Sequence, residues 1–331
     1  MSVSRVSLLA SAALAAAVTL TGFCPPGGGP SVADAHVVVH FDAGAGQSPE
    51  NVALEPGGGL AVTFAGARQI AEITPEGCTR VLAALPAPAD GGVHTPALGF
   101  PLTTGLVRAA DGTLYVLYAT GTADLTGLWR LRPGGRPERI AALPADGLPN
   151  GLALDAGTGT LYVADSVRGA VYRVPVSGGS PQVWSHAPEL ASTGFLGVNG
   201  LKVHGGSLWA TNLDRGTVLR LPITGDGSAG RPRTVAAGLA GIDDFAFTGH
   251  GDDIAAALNV PDQVVLVRGD GSHATLLGAA DGLDGPTSVA LRGSTLYVLS
   301  AAYTTGKDPN LLAGRLVRRP AGEQDGTPYR G

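Results

Sequence analysis

The chain has 331 residues, of which 44% are hydrophobic and 15% are charged, and 22 basic against 27 acidic side chains give a net charge of −5. This length is enough for one large domain or two smaller ones. An acidic chain with scattered basic residues lacks the electrostatic footprint of a nucleic-acid-binding protein, so no nucleic-acid partner is expected.

The first 35 residues have the pattern of a secretory signal peptide. Arg5 precedes an apolar run over residues 6–23, and an Ala-Asp-Ala triplet at 33–35 offers a cleavage site. The mature chain is therefore expected to begin at His36, to be secreted and to have no stable membrane insertion. Two alternatives stay open: an uncleaved anchor, because the run approaches membrane-spanning length, and a lipoprotein linked through Cys24.

Cysteine content limits how the mature chain can be stabilised. Cleavage would remove one of the two cysteines and leave Cys78 in the turn "PEGCTR". One cysteine cannot form a disulfide framework within the chain. Stability must therefore come from an extensive apolar core.

Residues 36–319 consist of six copies of one unit. Each copy has a polar residue, called here the slot, followed by a short strand, a Gly or Asp turn, an alternating strand, a polar loop and two further strands. Period-two alternation with β-branched and aromatic residues predicts strands. The slots recur every 44 to 53 residues and are Glu50, Thr103, Asn150, Asn199, Asp243 and Thr287. Four short strands at that period predict an all-β, six-bladed β-propeller.

The two ends of the repeat region predict how the ring closes. The sixth copy ends with its third strand, "GRLVRR" at 314–319, and residues 320–331 form a polar tail. The segment "HVVVHF" at 36–41 precedes the first slot as the fourth strands precede the other slots. We expect it to complete the last blade, which would protect the edges of the sheet.

The slots are expected to meet at one mouth of the central channel, because the first strand of each blade lines the axis. Two carboxylates and two amides there form a set of hard oxygen ligands, suited to Ca²⁺, Mg²⁺, Mn²⁺ or oxygen-bound Zn²⁺. Without a cation, the carboxylates would repel and one would hold a proton. Each slot also has a plainer interpretation: an Asn-Gly turn at Asn150 and Asn199, a turn cap at Asp243, a solvated side chain at Glu50 and a structural role at the two threonines.

Four motifs indicate a resemblance to a known family. The segments "PENVAL", "LPNGLALD" with "LYVADS", "VNGLKV" and "IDDFAF" resemble the senescence marker protein, regucalcin and gluconolactonase family of six-bladed propellers, over nearly the whole mature chain. The resemblance implies one divalent cation, Ca²⁺ before the others, held by Glu50, Asn199 and Asp243. It also implies that Asn150 faces a small-molecule substrate. A monomer is expected.

Two departures limit what this resemblance implies. Asp244 stands where the family has a glycine after its aspartate, so either aspartate could be the ligand, and the repeat register favours Asp243. Leu148 stands where some members have an arginine that recognises sugar acids. A gluconate-like substrate is therefore disfavoured.

If the site is catalytic, the simplest chemistry is hydrolysis of a lactone or ester. The cation would polarise the carbonyl, Asp243 or Glu50 would accept a proton from the attacking water, and Asn150 and Thr103 would bind the substrate. Two other functions stay open. One is a non-catalytic exported propeller that binds a peptide, glycan or protein, and the other is a metal-free enzyme resembling the strictosidine-synthase-like propellers.

Other polar and aromatic residues are expected to have structural roles. Three polar residues that end second strands should lie farther from the axis: Asp165, Asn212 and Asn259. Three tryptophans within strands are expected to pack between blades: Trp129, Trp184 and Trp209.

Overall fold

A computed structural model describes residues 30–317, which form six four-stranded antiparallel sheets. The all-β, six-bladed prediction is confirmed. Most of the predicted signal peptide, including Cys24 and the apolar run, lies outside the described residues, as does the polar tail. Within residues 30–317, no helix is long and apolar enough to span a membrane.

The described residues begin with the strand β1 (Ser31–His40) and then form the blades in order, each from its inner strand outward. The first blade contains β2 (Pro49–Leu54), β3 (Leu60–Phe64), β4 (Gln69–Ile73) and β5 (Thr79–Ala84). The second contains β6 (Leu102–Arg108), β7 (Leu114–Ala119), β8 (Gly127–Leu131) and β9 (Glu138–Ala142). The third contains β10 (Pro149–Asp155), β11 (Thr160–Asp165), β12 (Ala170–Pro175) and β13 (Gln182–Ser185).

The remaining blades follow the same plan. The fourth contains β14 (Val198–His204), β15 (Ser207–Asn212), β16 (Thr217–Pro222) and β17 (Arg233–Ala236). The fifth contains β18 (Ile242–Phe247), β19 (Ile254–Leu258), β20 (Gln263–Val267) and β21 (His273–Leu277). The sixth contains β22 (Pro286–Arg292), β23 (Thr295–Ser300) and β24 (Asn310–Val317), and β1 is its outer strand. Two short 3-10 helices, Pro188–Leu190 and Ala279–Asp281, precede the fourth and sixth blades.

The ring closes through β1, as predicted from the ends of the repeat region. This strand pairs antiparallel with β24, from Ser31 opposite Val317 to His40 opposite Asn310. Both strands begin earlier than the sequence motifs indicated, at Ser31 rather than His36 and at Asn310 rather than Gly314. Residues 31–35, which the predicted cleavage would remove, are thus part of the paired strand. The cleavage position stays a prediction.

The apolar core lies between the blades rather than at the axis. Of the eight clusters of buried side chains in the described residues, six lie one at each junction of neighbouring blades. Trp184 packs edge-on against Tyr162 with 5.0 Å between ring centroids, and Trp209 packs likewise against Phe247 at 5.3 Å. Trp129 packs against Tyr118 of its own blade. Burial of both faces of each blade explains how a chain without a disulfide framework is stabilised.

Each inner strand is irregular at its slot. The register of the pairing with the second strand shifts beside every slot, at 49–51, 103–106, 149–152, 198–201, 242–245 and 286–288. A β-bulge leaves backbone groups without ladder partners and changes the direction of the local side chains. The bulges therefore free the slot side chains from the regular alternation of the sheet.

A ring of side-chain hydrogen bonds joins the inner parts of successive blades. The donors and carbonyl acceptors are Thr63 to Thr104 (2.8 Å), Thr104 to Pro149 (2.8 Å), Ser166 to Val198 (2.7 Å), Thr211 to Asp243 (2.5 Å), Asn259 to Pro286 (3.4 Å) and Thr287 to Pro49 (2.9 Å). Buried carbonyls require a partner, and these side chains supply it across all six junctions.

Glycine after Asn150 allows the inner strands to approach each other. Both Asn-Gly pairs lie inside strands, β10 and β14, so the turn interpretation of Asn150 and Asn199 is wrong. A Cβ atom on Gly151 would lie 1.8 Å from the Asn199 carbonyl oxygen. The glycine is required by close packing between blades.

We predict that Gly151→Ala destabilises the protein by about 3 kcal/mol, because backbone atoms cannot yield to the added methyl group. Gly57→Ala is the matched control, since nothing lies within 4 Å of its Cβ position. Its change should stay within about 0.5 kcal/mol. Denaturant unfolding of both variants provides the measurement, and equal stabilities would contradict the proposed packing constraint.

Candidate functional site

Glu50, Asn199 and Asp243 converge at the channel mouth. All three are buried, with exposed fractions of 8%, 3% and 8%. The Asn199 side chain hydrogen-bonds to the Asp243 carboxylate, and the charge of Glu50 acts on the same group. The structure thus brings together the three residues predicted as metal ligands.

Burial raises the pKa of both carboxyl groups of this set, Glu50 and Asp243. Desolvation raises the pKa of Glu50 to about 7, a hydrogen bond from Tyr303 opposes the rise, and the charge of Asp244 adds to it. Desolvation also raises the pKa of Asp243 well above its ordinary value, and the charges of Glu50 and Asp244 add to that rise. Two like charges held close in a dry environment favour retention of a proton, as the sequence predicted for a cation-free ring.

Tyr303 contacts the acidic pair and was not found from the sequence. Its hydroxyl donates a hydrogen bond to Glu50 Oε2 at 2.6 Å. The residue keeps 42% of its surface exposed, so its ring lies at the mouth while its hydroxyl points inward. Burial of that hydroxyl and the charge of Glu50 raise the pKa of Tyr303 well above its ordinary value, which keeps it a donor at neutral pH.

The loop that carries Tyr303 joins β23 to β24 and is anchored to Asp284. Ala302 N–H donates to the Asp284 carbonyl at 2.8 Å, and the Thr305 hydroxyl donates to its carboxylate at 2.5 Å. This loop is longer than the corresponding loops of the other blades and contains an aromatic residue. Its length was the sequence signal that could have identified Tyr303.

The structure separates the two neighbouring aspartates. Lys202 Nζ lies 2.6 and 2.7 Å from the two carboxylate oxygens of Asp244, which also accepts hydrogen bonds from Asn51 at 3.0 Å and Ser288 at 3.2 Å. Asp244 is therefore fully engaged inside the channel, whereas Asp243 has no ion pair among the described residues. This arrangement agrees with the repeat register, which favoured Asp243 as the ligand.

The other slots differ in what they offer to a ligand. Asn150 is buried, and no described residue forms a hydrogen bond with its side-chain amide. Thr103 is fully buried and donates to the Phe64 carbonyl at 2.9 Å, and Thr287 is engaged in the ring described above. Because the Thr103 hydroxyl is already used, its contact with a substrate stays a prediction without structural support.

The polar residues at the ends of second strands organise loops. Asp165 Oδ1 accepts hydrogen bonds from the backbone N–H groups of Leu148, Val167 and Arg168, at 2.9 to 3.2 Å. The Asn212 amide donates to two carbonyls in the loop before the fourth blade. Asn259 donates across the junction to the sixth blade. All three have structural partners, in agreement with their expected positions away from the axis.

The donor set fits a hard divalent cation. Two buried carboxylates with no ion-pair partner among the described residues would be stabilised by a positive charge, and the Asn199 amide adds a neutral oxygen. Within residues 30–317, no three His, Cys, Asp or Glu side chains are grouped as a metal site. The fit therefore depends on the carboxamide of Asn199.

Comparison with known proteins shows the fold. No protein-family model and no curated protein sequence matches the chain. A calcium-binding regucalcin from Agrobacterium tumefaciens has a TM-score of 0.60 and 16% identity over 82% of this chain and 92% of its own. A protein proposed to be a gluconolactonase has a TM-score of 0.62 and 16% identity over 88% and 95%.

The same fold occurs in an enzyme of another class. A catalytically inactive virginiamycin B lyase from Staphylococcus aureus, solved with quinupristin, has a TM-score of 0.59 and 15% identity over 82% of each chain. At these identities, the similarity establishes the six-bladed architecture and leaves the chemistry to the site residues.

We predict that the cation-free protein loses stability as the pH rises from about 4.5 through about 7. Glu50 has a higher pKa in the folded state than its ordinary value of 4.5, so the folded state binds protons more tightly in this interval. The full loss from this group is about 3 kcal/mol above pH 7. The measurement is the free energy of unfolding at several pH values in the presence of EDTA.

Glu50→Gln should reduce the slope of this pH profile, because it removes the carboxyl group whose pKa burial raises. Asp124→Asn changes an exposed carboxylate and should keep the wild-type slope. A wild-type profile that is flat between pH 5 and 8 would contradict the buried acidic pair.

Proposed function

We propose that the channel mouth is the active site of an exported, metal-dependent hydrolase that opens a lactone or a related ester. The observation that carries this proposal is the pair of buried carboxylates, Glu50 and Asp243, which share a site with the Asn199 amide and form no ion pair among the described residues. A protein retains such a costly arrangement where charge is needed for function.

Different residues of the ring are assigned different roles in this reaction. Glu50, Asn199 and Asp243 would hold one divalent cation, with Ca²⁺ expected first. When bound, such a cation polarises a carbonyl group and makes a water molecule more acidic. Asn150, whose amide has no hydrogen-bond partner among the described residues, would orient the substrate oxygens.

Proton transfer is assigned to the acidic pair. Water attacks the carbonyl carbon and the bond to the alkoxy oxygen breaks, which gives one hydroxy acid from a lactone, or a carboxylic acid and an alcohol from an open-chain ester. Asp243 or Glu50 accepts the proton of the attacking water and returns it to the leaving oxygen. Tyr303 donates to Glu50 Oε2 and holds that carboxylate in one orientation.

The structural comparisons support the choice of chemistry without deciding it. The regucalcin with this fold is described as calcium-binding, and another structure with this fold is proposed to be a gluconolactonase. The sequence motifs resemble the same family. Secretion remains part of the proposal and depends on the N-terminal 35 residues.

Metal content is the first test. We expect about one equivalent of Ca, Mn or Zn in the exported protein after exhaustive dialysis, measured by elemental mass spectrometry. Asp243→Ala and Asn199→Ala should lose it, because each removes an oxygen ligand. Thr287→Ser is the control, since it alters a slot outside the ligand set and keeps the hydroxyl that donates to Pro49.

A wild-type protein that contains no metal and takes up none on titration would refute the metal-dependent hydrolase. That result would favour a propeller that binds a peptide, glycan or protein at its mouth, or a metal-free enzyme.

Tyr303→Phe tests the role assigned to the hydroxyl group. We expect kcat/KM for δ-valerolactone to fall about 10- to 100-fold, the effect of one hydrogen bond to a charged group, with metal content unchanged. Tyr297→Phe removes a hydroxyl from a neighbouring strand of the same blade and should retain wild-type activity. Equal activity of the two variants would show that Tyr303 does not assist Glu50.

A further inference from the structure

One side of the channel mouth is formed by apolar side chains. Buried Leu148 and Leu196 pack in one cluster with half-buried Leu98, Val167 and Leu213. We call these five residues the apolar wall. All five lie in loops at the slot end of the blades, where Leu98, Val167 and Leu213 keep part of their surface exposed above the buried Leu148 and Leu196.

The apolar wall is held by backbone hydrogen bonds between its loops. Ser166 N–H donates to the Leu148 carbonyl at 3.0 Å, Gly197 N–H to the Ser166 carbonyl at 2.8 Å, and Leu213 N–H to the Gly197 carbonyl at 3.1 Å. These bonds connect the loops of the third and fourth blades in series. The wall is therefore a preformed surface and not a set of independent loop side chains.

Asp214 fixes the loop that contains Leu196. Its carboxylate accepts hydrogen bonds from four successive backbone N–H groups of residues 193–196, at 2.8 to 3.2 Å. Although partial burial opposes ionisation, these donors hold the pKa of Asp214 below its ordinary value. The negative charge of Asp214 is thus stabilised by the backbone N–H groups of this loop.

The mouth is divided into two chemically different halves. Glu50, Asp243 and Tyr303 belong to the first, fifth and sixth blades, whereas the apolar wall covers the second to fourth blades. Asn150 lies at the border, two residues after Leu148 and in the same blade as Val167. A ligand bound at Asn150 would therefore contact polar groups on one side and the wall on the other.

Two cations in the loops that carry Val167 and Leu213 are already engaged. Arg168 forms an ion pair with Asp146 at 2.7 Å, and Arg215 Nε donates to the Ala191 carbonyl at 3.0 Å. Leu148 contributes no charge at its position. The wall thus offers apolar contact, and the two arginines in its loops are already bonded to other groups rather than available to an anionic or polyhydroxylated substituent.

We propose that the substrate is a neutral lactone or ester with an alkyl substituent, which lies on the apolar wall while its carbonyl group faces the acidic half of the mouth. This inference rests on the proposed hydrolase function, because that function supplies the carbonyl group. Sugar lactones are poor ligands on this basis, since the wall would desolvate their hydroxyl groups without replacing the lost hydrogen bonds.

Binding of two lactams tests the wall without requiring turnover, because a lactam resists hydrolysis. The probes are piperidin-2-one and 6-heptylpiperidin-2-one, titrated by calorimetry into the wild-type protein with CaCl₂. Each buried methylene strengthens binding roughly fourfold, so partial burial of the heptyl chain should give an affinity on the order of 100-fold higher.

The double variant Val167→Thr with Leu213→Asn should reduce the preference for the heptyl lactam to less than about 10-fold, because both changes keep the side-chain size while adding polar atoms. Val260→Thr is the matched control. This residue is 78% exposed on the same face, outside the wall, and its variant should retain the wild-type preference. Circular dichroism would verify the fold of each variant.

A parallel assay with δ-valerolactone and δ-dodecalactone separates the two hypotheses. Preference for the heptyl lactam without hydrolysis of either lactone would support alkyl binding at the wall and refute the proposed hydrolase function. Equal affinities for the two lactams, or no measurable binding of either, would overturn the proposed binding role of the wall even if both lactones are hydrolysed. A folded double variant that keeps the full preference would overturn it as well.

Discussion

The convergence of six inner strands on one axis is the constraint on which the rest of this structure depends. Neighbouring inner strands approach so closely that a side chain at Gly151 would collide with the next backbone, and each junction is tied by a hydrogen bond from a side chain to a carbonyl. The bulges at the slots make this approach compatible with sheet pairing. They also direct the slot side chains toward the mouth, so the same irregularity serves packing and function.

Buried acidic residues near the axis have two different roles. Asp244 is neutralised by Lys202 and bonded to two further side chains, so it contributes to the structure of the channel. Asp243 and Glu50 lack such a partner and have raised pKa values because of burial. A cation bound there, as proposed, would offset the free energy lost by holding these two charges together and would link metal affinity to stability.

Loops between strands give the mouth its two halves. Backbone hydrogen bonds and the Asp214 carboxylate hold the leucines of the apolar wall, and the anchored loop before β24 places Tyr303 over Glu50. These loops differ in length and composition between blades, whereas the strands are nearly uniform. One propeller scaffold supports several functions, since a lyase and a calcium-binding regucalcin share this fold.

The sequence alone determined the six blades, the closing strand and the ring of Glu50, Asn199 and Asp243, because period-two alternation and a repeat of 44 to 53 residues are local properties of the chain. The tertiary structure alone decided that the Asn-Gly pairs lie in strands, that Lys202 engages Asp244, that Thr103 is internally bonded and that Tyr303 reaches Glu50. These outcomes depend on contacts between residues 39 to 253 positions apart. Periodicity identifies the elements of a propeller, but only closure of the ring determines which side chains meet.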